Sequence, residues 1–145
     1  MSTDVSITLN FNKKIRPSSF VQALADTGWG CDLDGTVGIL SFPDDNASDW
    51  ECIPCKDLSK LRSRATSWDD IDSGFGLAVV HVHTGIGGPM TTGKERNSLY
   101  WGVSVNIPHI NGGRMLIDVS KCLAAIWPAL QLAELMVLSI DMRIE

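Results

Sequence analysis

Apolar and polar residues alternate in two segments far apart in the chain, and this pattern constrains the fold more than any other feature. Val5, Ile7, Leu9 and Phe11 fall on one side of an extended segment, with Ser6, Thr8 and Asn10 on the other. Leu138, Ile140, Met142 and Ile144 repeat the pattern. Period two marks a strand with one apolar face; on a helix it would scatter the apolar residues around the axis. Helical spacing appears between the two segments. Phe20, Val21 and Leu24 make a stripe, Pro17 stands near the first helical position and Gly28 is a stop. A short helix is predicted from Lys56 to Ala65, with Leu58, Leu61 and Ala65 on one face and Asp57 in the first turn. A third is predicted from Ser120 to Glu134, kinked or split by Pro128.

The remaining apolar runs are short. Trp29–Leu33 and Thr36–Phe42 flank Asp34-Gly35, and Leu99–Ile107 and Arg114–Val119 flank Asn111-Gly112. Such X-Gly pairs fit two-residue hairpins, whose central positions need positive φ. Phe75–His83 is the strongest single strand, and Thr84–Asn97 reads as a glycine-rich loop. The order predicts one α+β domain over residues 1–145. Its sheet is mostly antiparallel, with five to seven strands and about three helices on one face. Leu9, Leu24, Leu77, Val79, Val103, Ile117, Leu123, Ile126 and Ile140 are expected in its core.

Composition excludes several classes. With 145 residues, 44% hydrophobic and 20% charged, the chain has enough apolar surface to fold as one domain and is not of disordered type. No apolar run approaches the ~18 residues of a membrane span, and the first residues lack a signal-peptide pattern, so a cytoplasmic location is expected. A net charge of −5 argues against nucleic acid as partner. Four cysteines are too few for a disulfide scaffold. No cofactor is expected.

Three segments carry partial motifs. Cys52-Ile53-Pro54-Cys55-Lys56, with Trp50 upstream and a helix expected after it, resembles the active-site segment of thioredoxin-like oxidoreductases. That resemblance implies Cys52 as nucleophile, its thiolate favoured by a helix N-terminus, and Cys55 as resolving thiol. It covers about seven residues, and Glu51 stands where the family places its tryptophan. The same pair would supply half of a zinc site, but Cys31 and Cys122 are isolated. His81 and His83 lie two apart on a strand and, with His109, offer three imidazoles for a metal. Such His-x-His pairs occur in cupins, whose following Glu is here replaced by glycines. Gly88-Pro89-Met90-Thr91-Thr92-Gly93-Lys94 matches seven positions of a phosphate-binding loop, but Glu95 occupies the position of the magnesium-binding hydroxyl. No Gly-x-Ser-x-Gly appears.

Charge placement is the clearest signal. From Asp26 to Asp72 there are eleven acids and four bases, net −7; the remainder is net +2. The acids concentrate in two segments that each hold a tryptophan: Asp44, Asp45, Asp49, Trp50 and Glu51 in one, and Trp68, Asp69, Asp70 and Asp72 in the other. Acidic side chains around aromatic anchors form a surface that would steer and hold a basic protein. In size, acidity and architecture the chain is similar to the immunity proteins with which bacteria inhibit toxins. That similarity implies a non-enzymatic toxin inhibitor with a basic protein partner. The alternatives are a dithiol oxidoreductase at Cys52 and Cys55, a metal-dependent enzyme at His81 and His83, or a self-associating domain.

Overall fold

The structure is a computed structural model and describes residues 5–31, 36–41, 51–54, 57–71, 73–104, 107–108 and 118–144. The strands are β1 (Val5–Phe11), β2 (Trp29–Gly30), β3 (Thr36–Ser41), β4 (Glu51–Pro54), β5 (Phe75–His81), β6 (Gly87–Thr92), β7 (Ser98–Val103) and β8 (Val137–Ile144). The helices are α1 (Pro17–Asp26), α2 (Arg62–Asp69) and α3 (Val119–Leu132), with a 3₁₀ turn at Leu58–Leu61 before α2. The fold is α+β. All strand pairs among the described residues are antiparallel, in the order β4-β3-β5-β6-β7-β1-β8, and β2 also pairs with β5. Among the described residues there are eight strands, against the five to seven expected.

The pleat sorts the residues. One transverse row runs Ile39, Leu77, Met90, Trp101, Ile7, each opposite the next. All five are at most 3% exposed. The helices cover this face: Phe20 of α1 and Trp68 of α2 meet Phe75 edge-on and stacked, at ring distances of 6.4 and 5.9 Å. The opposite face carries Ser6, Thr8, Asn10 and Tyr100, half-buried or exposed.

Local chemistry accounts for most elements. In α1, Pro17 opens the helix, and Gly28 at φ +90° ends it. The Asp57 carboxylate accepts from Ser59 N and starts the 3₁₀ turn. In α3, Pro128 neither splits the helix nor ends it. The proline removes the N–H that would serve the Ala124 carbonyl, and the indole N–H of Trp29 donates to the neighbouring Ala125 carbonyl at 3.2 Å.

Four expectations need correction. First, Thr84–Asn97 is not a loop throughout: β6 lies inside it. Gly87 and Gly88 are there because neighbours leave no room for side chains. A Cβ at Gly87 would sit 2.6 Å from the Val79 carbonyl oxygen, and one at Gly88 1.8 Å from that of Gly102. Second, β2 and β3 pair in succession with β5, Trp29 opposite His81 and Gly38 opposite Ala78. They therefore lie along one partner strand, and Asp34-Gly35 is outside the described residues. Third, α2 runs on to Asp69 instead of ending at Ala65, because Leu58, Leu61, Ala65 and Trp68 form one buried stripe. Fourth, Ile140 is 41% exposed, not core, and Leu123 is only half-buried. The other expected core residues are buried, except Ile117, which lies outside the described residues, as does Asn111-Gly112.

Candidate functional site

The acidic segments are approached through the residues that flank them. Ser41, at the end of β3, pairs with Phe75, at the start of β5. This brings the flank of segment 42–50 to the same end of the sheet as the α2–β5 connection, which carries Asp70 and Asp72. Asp44, Asp45, Asp49, Trp50 and Asp72 lie outside the described residues. Glu51 is exposed and accepts from Arg64 Nη2 at 2.7 Å, tying the start of β4 to α2. Asp70 is exposed and lines a cavity of about 430 Å³ with Lys14, Arg16 and Lys94.

Two expected contact residues have structural work instead. Trp68 is 6% exposed and stacked on Phe75, so its indole is not a free anchor. The Asp69 side chain is 7% exposed, and its Oδ1 accepts from Ser18 N at 2.9 Å. Its Oδ2 accepts from Ser18 Oγ at 2.6 Å and from Arg16 Nε at 3.2 Å. Arg16, at the N-cap position of α1, provides no side-chain cap of its own. A carboxylate at the end of α2 therefore caps the start of α1.

Burial would push the Asp69 carboxyl up, but the Ser18 hydrogen bonds and Arg16 outweigh it and hold it below the usual carboxylate range. At His81, burial first and the neighbouring His83 second lower the imidazole's proton affinity. Both groups bind protons less readily folded than unfolded. Their stabilisation is complete above the ordinary values of 6.5 for His81 and 3.8 for Asp69, and is lost as pH falls through the lowered ones. Acid unfolding should therefore have two components. Asp69→Asn keeps the shape but not the charge, and is expected to flatten the component below pH 3.8 and to destabilise by about 1 kcal/mol at neutral pH. Urea melts across the pH range test this; an unchanged acid limb would exclude Asp69 as its source.

The other motifs meet less favourable settings. Cys52 lies within β4, opposite Gly38, not at a helix N-terminus, and Cys55 is outside the described residues. Cys122 is buried in α3, where burial and then Asp118 push its thiol up to about 11. The rings of His81 and His83 are 5.9 Å apart, and His81 Nδ1 lies 2.9 Å from Thr84 Oγ1. His109 is outside the described residues, among which no group of three or more His, Cys, Asp or Glu could hold a metal ion. Gly88–Thr92 belong to β6, and the next element, β7, is a strand where a phosphate loop needs a helix. His81, Thr84 and Lys121 share a second cavity, of about 500 Å³, with Ile86, Ile107 and Ala125.

Two features escape sequence reasoning. Arg96 is buried and holds a left-handed backbone, φ +57°. Its guanidinium donates to the carbonyls of Trp68 (2.6 Å), Asp69 (3.4 Å), Ile71 and Ser73 (2.6 Å), where α2 ends and the chain turns into β5. It also stands 5.9 Å from the Phe75 ring. No periodicity distinguishes it from a loop arginine. The second feature is the exposed apolar side of β8. Alternation reveals a strand face, but not whether anything covers it.

These observations define an α+β domain with helices on one sheet face. No helix among the described residues is long and apolar enough to cross a membrane. Comparison with known protein families, with curated proteins and with solved structures gave no match to this chain.

Proposed function

We propose that this chain is a protein-binding domain that acts by occupying the basic surface of another protein, as immunity proteins do against toxins. The observation that supports the reading is the Ser41–Phe75 pairing, which sets the residue before segment 42–50 beside the first residue of β5, the strand that follows the Trp68–Asp72 segment. Trp50 is the aromatic anchor of the surface. Asp44, Asp45, Asp49, Asp70 and Asp72 are its charged rim, and Glu51 contributes from the start of β4. The partner is a protein with a basic cleft, such as a toxin domain that acts on nucleic acid, and the encounter takes place in the cytoplasm. A small acidic domain blocks such a cleft by charge and shape, with no bond made or broken and no cofactor.

The test uses the immobilised chain as bait in a lysate of its source cells, followed by surface plasmon resonance with the purified captured protein. Reversing Asp44, Asp45 and Asp49 to lysine is expected to slow association about tenfold at low salt, with much less effect at high salt. Trp50→Ala is expected to speed dissociation, weakening binding by about 2 kcal/mol. A partner whose association is indifferent to both salt and charge reversal would overturn the reading.

A further inference from the structure

We propose that this chain self-associates through β8, forming a two-fold dimer in which the β8 strands of two copies pair antiparallel with Met142 opposite its counterpart. The inference does not depend on the proposed acidic surface, whose described flanks, Ser41 and Phe75, lie on β3 and β5, away from β8.

β8 is a sheet edge: among the described residues its only strand partner is β1. Across β1, Ile140 stands opposite Leu9, Met142 opposite Ile7 and Ile144 opposite Val5. Residues opposite one another share a face. The three β1 residues are 0–1% exposed, yet their partners one strand further out are 41%, 44% and 50% exposed. The apolar face of the sheet therefore continues past the region that is covered. Leu138, where the β1–β8 register shifts, is 65% exposed, and Met136 just before the strand is 62% exposed. Edge strands are normally blunted by proline, lysine or shortness. β4, at the opposite edge, spans only four residues and ends in Pro54. β8 spans eight residues and has neither proline nor lysine.

The charges on β8 select both the occupant and the register. Asp141 and Arg143 stand opposite Thr8 and Ser6, on the face away from the helices. Neither is in an ion pair among the described residues. A two-fold axis through Met142 sets Asp141 of each copy against Arg143 of the other, making two opposite-charge pairs. The same register sets Ile140 against Ile144 twice and Met142 against Met142, so the exposed apolar faces meet. An axis through Asp141 would set like charges together, and one through Ile140 would face Asp141 with Ser139 and leave Arg143 opposite Val137. A self-complementary sequence about one centre is what an isologous interface requires. Pairing also satisfies the outward N–H and C=O groups of the edge.

Sedimentation velocity over a concentration series tests the proposal. The expected result is a concentration-dependent species of twice the 15.8 kDa chain mass. Asp141→Arg and Arg143→Asp each place like charges in both cross-strand pairs, and each variant is expected to sediment as a monomer. Mixed, the two variants are complementary and are expected to restore the dimer, as is the double exchange within one chain. Both positions are exposed, and circular dichroism checks that each variant is folded. A wild-type chain that stays monomeric, larger polydisperse species, or single variants that dimerise like wild type would each overturn the proposal.

Discussion

Gly88→Ala is expected to destroy the native sheet. The added methyl would sit 1.8 Å from the Gly102 carbonyl oxygen and 3.0 Å from the Ser104 nitrogen, both backbone atoms that no rotamer change can move. The backbone at Gly88 also holds φ +147°, which an L side chain rarely adopts. Relief requires β6 to separate from β7 in the middle of the sheet, beside the row that contains Met90 and Trp101. The expected loss is about 4 kcal/mol or more, enough to unfold a domain of ordinary stability. Gly93→Ala is the control. Nothing lies within 4 Å of a Cβ there, and its melt should stay close to wild type. Thermal melts of the two variants make the comparison, and a folded Gly88→Ala protein with native stability would refute this account of β6.

Arg96→Ala is expected to be the next most damaging change, at about 3 kcal/mol. The loss leaves the carbonyls of Trp68, Asp69, Ile71 and Ser73 without their guanidinium donor, at the helix end where a cation is favoured. Two companion variants separate donor loss from backbone strain. Arg96→Gly also removes the donors but suits φ +57°, and is expected to recover about 1 kcal/mol relative to alanine. Arg96→Lys keeps the charge but loses the planar fork, and is expected to recover only part of the stability. Urea denaturation orders the variants as arginine, lysine, glycine, alanine. If lysine matches arginine, the geometry of the fork is irrelevant and charge alone is the cause.

Sequence was legible where burial follows a local period. β1, α1, α3 and β8 lie close to their expected places because their apolar spacings repeat over two or more turns or pleats. β6 was illegible because glycine and proline there serve the approach of β7, and that need arises only once the neighbouring strand is known. The partners of β2 were illegible for a similar reason: Asp34-Gly35 indicates a local turn, whereas pairing with β5 is decided about fifty residues away. Trp68 and Asp69 read as an exposed pair because acidic neighbours surround them. The stripe Leu58, Leu61, Ala65, Trp68 was present in the sequence and carried the better information. The acidic concentration itself was fully legible, since charge needs no fold to be counted. What the fold adds is the pairing of Ser41 with Phe75, described residues that flank the two segments.

The place of β1 in the sheet imposes an order on biosynthesis. Asn10 bonds Ser98 and Ser139, 88 and 129 residues downstream. β5, β6 and β7 follow one another and can zip as successive hairpins while the chain is still emerging. β1 leaves the ribosome before all of them and then waits for both of its neighbours. At a usual elongation rate the wait for β7 is on the order of ten seconds. During that time Val5, Ile7, Leu9 and Phe11 have no sheet to join, and a nascent strand with one apolar side is a substrate for holding chaperones. The strand translated first is thus among the last to be secured.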